Sequence, residues 1–504
     1  HTNANSRAYF EVAGMYNRSF EKHAVAALLV FTQEERLNTV QENDVYASLP
    51  ARNMGLAGRM TYAFDNRYFT EANFGYNGSE RFAEKNRFGF FPSVGLGWSV
   101  SSEKFWEPLI PYVNQLKFKA SYGKVGNDAI AKEEERFLYL SSVNLNDATR
   151  GYSWGQDFNN SYSGYTVNRY PNPEVTWEVA DKLNVGFELG LWGKATIQAD
   201  YFAEERNQIY MENKYVPSTM GLSAPIKSNI GQAKSSGIDG SMDYAHSFNK
   251  DLWLTGRANF TYARNEMVAN GEPAYQYAYM SRIGQPLDQQ WGLIAERLFV
   301  DEADVRNSPV QTYGNNYTAG DIKYKDVNND GKIDDNDMVP IGFPKTPEII
   351  YGFGLSAGYK NVDFSFFFQG SARSSFYIDP KAISPFVNER NALEIIANDH
   401  WSDENPDPYA FWPRLSTETI ENNTQSSTWW LRDGSFLRLK SVELGYSLPK
   451  RYTDKIKIKD TRFYVSGTNL LTFSKFKLWD PEMGSNGLGY PPQMIFNFGV
   501  HMAL

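Results

Sequence analysis

The sequence predicts an all-β fold, a transmembrane antiparallel β-barrel that is partial, with about fifteen strands where a large barrel closes with roughly 22. Long loops lie on one rim and short turns on the other. Three observations predict it. Aromatic residues make up 15% of the 504 residues, yet the mean hydropathy is −0.52; a sheet whose two faces meet different media gives that combination, because strands alternate faces residue by residue. Period-two alternation recurs along the whole chain. The connections between the alternating runs are short and long in turn.

The runs follow in order. Arg7–Asn17 opens the chain, and Ala24–Phe31, its longest apolar stretch, falls far short of the ~20 residues of a spanning helix. In "LAGRMTYAF", Leu56, Gly58, Met60, Tyr62 and Phe64 share a face. Asp65-Asn66 turns the chain, and "YFTEANFGY" returns with Tyr68, Thr70, Ala72, Phe74 and Tyr76 aligned against Glu71, Asn73 and Gly75. Further runs are Val94–Val100, Leu116–Tyr122, Val175–Leu191, Ala195–Ile209, Gly237–Ala245, Leu252–Tyr262, Ile349–Tyr359, Phe364–Gln369, Phe436–Leu448, Phe463–Leu471 and Met494–Leu504. Turns at Trp192-Gly193-Lys194, Asn249-Lys250 and Lys360-Asn361 take turns with polar loops at Asn127–Pro171, Met211–Lys234, Ala269–Pro347 and Arg373–Thr428. Loops of that length are unusual in a compact soluble domain. A soluble propeller would show a fixed repeat, and none is found; a soluble sandwich would carry more Lys and Glu on its outer face.

Composition excludes several functions. A net charge of −9 with no Lys/Arg cluster argues against nucleic acid. Without cysteine there is no disulfide framework, thiolate catalysis or Cys-ligated metal. The five histidines, at 1, 23, 246, 400 and 501, lack metal-ligand spacing, and His23 and His501 fall in strands as wall residues. Acidic pairs such as Asp403-Glu404 and Glu204-Glu205 are expected by chance among 59 Asp and Glu. No nucleophile elbow or phosphate-cradling loop is present, so no enzyme is expected.

One motif stands apart. In "DVNNDGKIDDND", Asp326, Asn328 and Asp330 offer oxygens at positions 1, 3 and 5, Gly331 permits a sharp turn, and Lys332 would give its carbonyl. Asp334 would act through water and Asp337 stands at position 12. The spacing predicts a structural calcium ion, against the bland alternative of a metal-free Asn/Asp/Gly turn. No helices flank the loop, so the ion would pin it rather than sense anything. A second signal is aromatic. "GYSWGQDFNNSYSGYTVNRY" sets Tyr152, Trp154, Phe158, Tyr162 and Tyr165 among amides and hydroxyls, and "PAYQYAY" adds Tyr275 and Tyr277. Such platforms suit stacking on sugar rings or gripping a peptide. Trp429 and Trp430 of "TWWLRD" could equally be interfacial anchors.

In the last run, Met494, Phe496, Phe498, Val500, Met502 and Leu504 leave one face wholly apolar. A terminal apolar edge invites aggregation unless a barrel pairs it. Together with "FGFFPSVGLGWSVSSEKFW", "LKFKASYGKVGND", "NPEVTWE", "GDIKYKDVNNDGKIDDND", "VDFSFFFQGS", "WLRDGSFLRLKSVELGYSLP" and "YVSGTNLLTFSKF", it makes the chain resemble the C-terminal barrel portion, residues 1–504, of the SusC/RagA-type TonB-dependent outer-membrane transporters of Bacteroidota. The family's TonB box and plug have no counterpart here, and the last residue is Leu504 where an aromatic is usual.

The resemblance implies import of oligosaccharides or oligopeptides across the bacterial outer membrane. It implies outer-membrane lipid around the barrel, a SusD-like surface lipoprotein as partner, coupling to TonB through sequence outside this chain, and dimers of the transporter–lipoprotein pair. It also places residues 320–340 as a calcium-loop-like insert in an extracellular loop, with short turns on the periplasmic side. Rival readings are a calcium-stabilised surface glycan-binding protein or adhesin without transport, and a secreted β-rich glycoside hydrolase. The sequence opens with no initiator Met and no leader, as a processed product or fragment would. An odd strand count with a periplasmic C-terminus puts His1 at the extracellular rim. The expectation is therefore a piece of a longer polypeptide, with roughly seven strands and the plug on a companion chain or segment that pairs with Arg7–Asn17 and Met494–Leu504.

Overall fold

A computed structural model describes residues 5–38, 49–132, 135–453 and 459–503. Its first strands are β1 (Asn5–Phe20), β2 (His23–Asn38), β3 (Ala51–Phe64), β4 (Tyr68–Ser79), β5 (Phe88–Ser99) and β6 (Val113–Asn127). A hairpin of β7 (Ser142–Trp154) and β8 (Asn160–Arg169) precedes β9 (Glu178–Leu191), β10 (Ala195–Glu212), β11 (Lys227–Ser247) and β12 (Leu252–Ala269). Six short strands follow: β13 (Trp291–Gly292), β14 (Ala295–Leu298), β15 (Val310–Gln311), β16 (Ile322–Tyr324), β17 (Lys332–Ile333) and β18 (Val339–Pro340). The rest are β19 (Ile349–Tyr359), β20 (Val362–Ala372), β21 (Ser375–Tyr377), β22 (Leu431–Asp433), β23 (Phe436–Ser447), β24 (Asp460–Ser474) and β25 (Ile495–Ala503).

Among the described residues, fifteen strands form one sheet in chain order, with β7–β8, β13–β18 and β21–β22 leaving it as two-stranded pieces inside loops. Each alternating run coincides with a strand of this sheet, and the apolar stretch Ala24–Phe31 falls within its second strand, β2. Several are longer than expected: β11 begins at Lys227 and β10 runs to Glu212, so the loop predicted over 211–234 shrinks to 213–226. The run expected from Val175 starts as a strand only at Glu178. His1 and Leu504 lie outside the described residues.

The alternation is inverted relative to a soluble sheet. Along β5, Phe88, Phe90, Pro92, Val94, Leu96 and Trp98 are exposed, while Gly89, Ser93, Gly95, Gly97 and Ser99 are half-buried. Water cannot stabilise that pattern; hydrocarbon can. The register extends it sideways into rows. Tyr16, Ala27, Met60, Ala72, Val94, Tyr122, Leu183 and Ala203 succeed one another as cross-strand partners. Nearer the short turns, the row Phe20, His23, Phe64, Tyr68, Trp98, Phe118 and Phe187 is aromatic throughout, as an interfacial girdle requires. A second row, Val12, Phe31, Leu56, Tyr76 and Phe90, lies toward the long loops. Phe74 lies across Gly58 on the facing strand, where any Cβ would meet its ring; the ring covers the glycine and pins the register.

The chain forms two compact units, His1–Ile238 with Asn265–Ala274 and Asp239–Arg264 with Tyr275–Leu504. In the second, Ala357, Phe364, Leu444, Val465 and Phe498 make an apolar row. The opposite face carries charge in both units. Arg59 pairs with Glu71 at 2.6 Å and Lys119 with Asp200 at 3.0 Å. Arg462 lies between Asp363 and Glu443.

Strict alternation breaks within β23. From Tyr446 back to Val442 the even residues of β23 lie in the apolar rows, and continued alternation would put Arg438 among them. The β23–β24 and β20–β23 registers both break around Lys440. This bulge inserts one residue, so Leu439 takes the place opposite Phe368 and Leu471. Arg438 turns to the charged face, only 2% exposed. It makes two bonds to Asp480, at 2.7 and 2.6 Å, one to Thr472 at 3.1 Å and one to Glu482.

The turns are tight on one rim. Asp65 and Asn66 both have φ of 52°, the double left-handed turn whose twist matches an antiparallel hairpin and which Asp and Asn tolerate.

Candidate functional site

The long loops, expected to be polar, hold the well-packed hydrophobic cores. In the second unit the connections 270–348, 373–435 and 475–494 share a cluster that includes Leu293, Ile322, Tyr324, Ile378, Trp412 and Trp430. Trp430, expected as an anchor or a ligand, is 1% exposed and donates its indole N–H to the Asn423 carbonyl at 2.7 Å. It is a core residue. Polar cross-links fix the loops to each other. Gln311 donates to the Ile322 carbonyl and Asn422 Oδ1, and Tyr324 donates its hydroxyl to the Asn422 carbonyl at 2.7 Å. Buried Asp321 accepts from the Thr318 amide and Asn423 at 2.8 Å and from Arg414 at 3.0 Å. Burial pushes its carboxyl above the usual range, against the pull of Arg414.

The acidic motif is built into this assembly through Ile333, fully buried in the same core. Strand β17, which contains it, runs parallel to β15, and the Ile333 carbonyl accepts from the Thr312 amide at 3.0 Å. The loop winds on its own carboxylates. Asp326 accepts from the Gly331 amide at 2.8 Å, and Gly331 has a φ of +83° that Gly adopts freely. Asp330 accepts from the Lys332 amide at 2.9 Å and Asp334 from the Asn336 amide at 2.8 Å. Buried Asp337 accepts from the amides of Val327 at 2.7 Å and Asp334 at 3.0 Å. Among the described residues, no three His, Cys, Asp or Glu side chains converge as a ready cage. Gathering these carboxylates raises the local negative potential. Tyr313, which donates to Asp335 at 2.9 Å, is held well above the usual phenol range by burial first, then by that bond and the charges of Asp335, Asp334 and Asp337.

Tyr275 and Tyr277 are half-buried. Tyr277 stacks on Tyr279 at 5.5 Å and 12°, and Tyr279 donates to the Asn336 carbonyl of the acidic loop at 2.6 Å. Tyr279 thus joins the aromatic run to the acidic loop. Sequence reasoning passed over it, although its spacing of two from Tyr277 in "YQYAY" was the available signal.

The other aromatic set lies in the first unit, on the β7–β8 hairpin. Tyr152 opposes Tyr162, Trp154 opposes Asn160, and the Tyr152 and Trp154 rings meet edge-on at 4.7 Å. These three aromatics form one face. Phe158, at a φ of 51°, stands at the tip, and Tyr165, an odd number of residues from Tyr162, falls on the reverse face. All five are about 59–71% exposed. The hairpin is footed on a small core of Phe82, Leu138, Val175 and Trp177, with Arg169 donating to the Leu140 and Arg136 carbonyls at 3.0 Å.

Comparison with known proteins adds to this geometry. The family model described as TonB dependent receptor-like, beta-barrel matches residues 10–470. A TonB-dependent receptor of Formosa agariphila is 28% identical over 452 residues, 86% of this chain and 43% of the relative. The TonB-dependent receptor SusC of Bacteroides thetaiotaomicron is 26% identical over 486 residues, 94% of this chain and 46% of the relative. The chain therefore spans just under half the length of these curated relatives. Among solved structures, the RagAB peptide transporter superposes with a TM-score of 0.72 at 21% identity, covering 99% of this chain and 56% of that one, a likeness of fold.

Proposed function

The chain belongs to the TonB-dependent receptor-like β-barrel family of the bacterial outer membrane, in its SusC/RagA type, and from that premise we propose that it forms most of the wall and the surface loops of a nutrient importer. The ligand is an oligosaccharide or an oligopeptide, too large for passive pores. The observation that carries this reading is the pairing of an inverted, lipid-facing alternation along the strands with long loops that, in each unit, fold around a core of their own. A wall needs the first; selective capture of a large ligand needs the second.

In this reading Tyr152, Trp154 and Tyr162 form a stacking face and Tyr277 a second one. A SusD-like lipoprotein closes over the loops. The plug, the TonB contact and the strands that pair with β1 and β25 come from the remainder of the transporter, in keeping with relatives about twice as long. Calcium in the Asp326–Asp337 loop is part of the same proposal; ligand spacing and the negative field around Tyr313 support it.

The test is uptake. Cells carrying the full-length gene, its deletion, or Tyr152→Ala/Trp154→Ala/Tyr162→Ala are offered labelled oligosaccharide and oligopeptide pools. The deletion should abolish uptake of one pool, and the triple variant should slow it about 5- to 160-fold, since stacked rings contribute on the order of 1–3 kcal/mol together. Equal uptake of both pools by the deletion strain would leave the adhesin reading in place.

A further inference from the structure

Arg432, at the centre of β22, is a cation without a counter-ion. Its Nη1 donates to the carbonyls of Trp429 at 2.7 Å and Leu431 at 2.9 Å. Its guanidinium lies over the Phe411 ring at 5.9 Å. Among the described residues no carboxylate is within ion-pair distance, and the adjacent Asp433 is occupied by the Ser435 amide at 2.9 Å and Lys475 at 3.5 Å. Burial alone pushes this guanidinium below its usual range, with no neighbouring charge drawing it back. Both Nη1 hydrogens are spent on carbonyls, which leaves Nε and Nη2 unused. Those two atoms are not sealed from solvent, in contrast to the unpartnered Nε of Arg87. They present a planar fork, the geometry that receives a carboxylate or sulfate through two parallel bonds. Half-buried Phe411 and Trp429 flank it.

A desolvated, unpaired cation is costly to the fold. Arg414, in the same loop assembly, is matched to Asp321, and Arg297 to Asp304.

We propose that Arg432 is the receptor for an oxyanion on the ligand, a carboxylate or a sulfate, so that the transported oligomer is acidic or ends in a free carboxylate. This rests on the importer reading for its ligand class, but direct binding tests it without transport. Full-length receptor in detergent would be titrated calorimetrically with a uronate trisaccharide, a sulfated trisaccharide and N-acetyl-tri-alanine. The neutral counterparts are a glucose trisaccharide and N-acetyl-tri-alanine amide. At least one anionic probe should bind tenfold or more tighter than its neutral partner. Arg432→Met should erase that margin, and Arg432→Lys, which keeps charge but loses the fork, should retain only part of it. The probe that shows the margin identifies the oxyanion as uronate, sulfate or peptide carboxylate. Arg432→Met gives up two carbonyl bonds and the Phe411 contact but strands no carboxylate, so it should still fold, as its melting midpoint beside that of Arg432→Lys will report. Equal affinity of each anionic and neutral pair, or a margin that survives in folded Arg432→Met, overturns the proposal. Failure of uptake with anionic binding intact would count against the importer reading alone.

Discussion

Substituting Val94 by Arg tests the membrane reading at its most sensitive point. Val94 is 46% exposed and lies midway along β5 between Phe90 and Trp98, which belong to the two aromatic-bearing rows. Those residues are eight positions apart, ~27 Å at a rise of ~3.4 Å per residue, or roughly 21 Å across the bilayer for a strand tilted ~40°. That is close to the ~25 Å apolar band of an outer-membrane barrel and sets Val94 near the midplane. An arginine there should cost ~2–4 kcal/mol, about 30- to 900-fold in the folded-to-unfolded ratio. At the girdle, Trp98→Arg should cost only ~0–1 kcal/mol in transfer. Full-length receptor refolded into phosphatidylcholine vesicles and titrated with urea would report both. If Val94→Arg unfolds at the wild-type midpoint, or if Trp98→Arg is the more damaging, the face has been misassigned and the rows are not a lipid band.

Phe498→Arg, on the exposed face of β25, should likewise lower insertion by ~2–4 kcal/mol if that row is near the midplane, read by the same titration. Calorimetry after chelation should show calcium binding in the ~10⁻⁴–10⁻³ M class that Asp330→Ala abolishes; no heat in either protein would leave a metal-free turn. Arg438→Met strands Asp480 and Glu482 and should cost ~3–5 kcal/mol, seen as proteolysis within residues 475–494 where wild type resists. Asp304 is held well below the usual carboxylate range, first by Arg297 and also by the Val300 amide and Lys323. A depressed carboxylate stabilises above its unfolded pKa, ~3.9, and that contribution is lost as pH falls through the lower folded value. Tryptophan-fluorescence melts should therefore hold from neutral pH down to pH ~5 and drop from there toward pH ~2, and Asp304→Asn should be less stable at pH 7 with a shallower decline.

Strand number and order were legible because every wall strand meets two media and so repeats one pattern. "LAGRMTYAF" needed only counting. The Lys440 bulge was not legible, since "FLRLKSVELGY" alternates plausibly in either phase and only pairing with β20 and β24 decides between them. The loop core was hidden for another reason. Its contacts join residues 311–324 to 414–423, about a hundred positions apart, and side chains gathered at that separation leave no periodic trace. The aromatic hairpin was visible as composition, but its division into the Tyr152–Trp154–Tyr162 face and the reverse side carrying Tyr165 needed the register.

The loop cores have a consequence for how the molecule comes apart. Leu293, Ile322 and Trp430 are shielded by other protein, whereas Val94, Leu444 and Phe498 are satisfied by hydrocarbon alone, so the two populations answer to different agents. Exchanging a bilayer for a short-chain detergent should loosen the strands while sparing the loop assembly; urea at fixed lipid should unfold the loop assembly first and the strands only at higher concentration. Calorimetric heating should then resolve two endotherms instead of one, and the order in which they occur should invert between lipid and detergent.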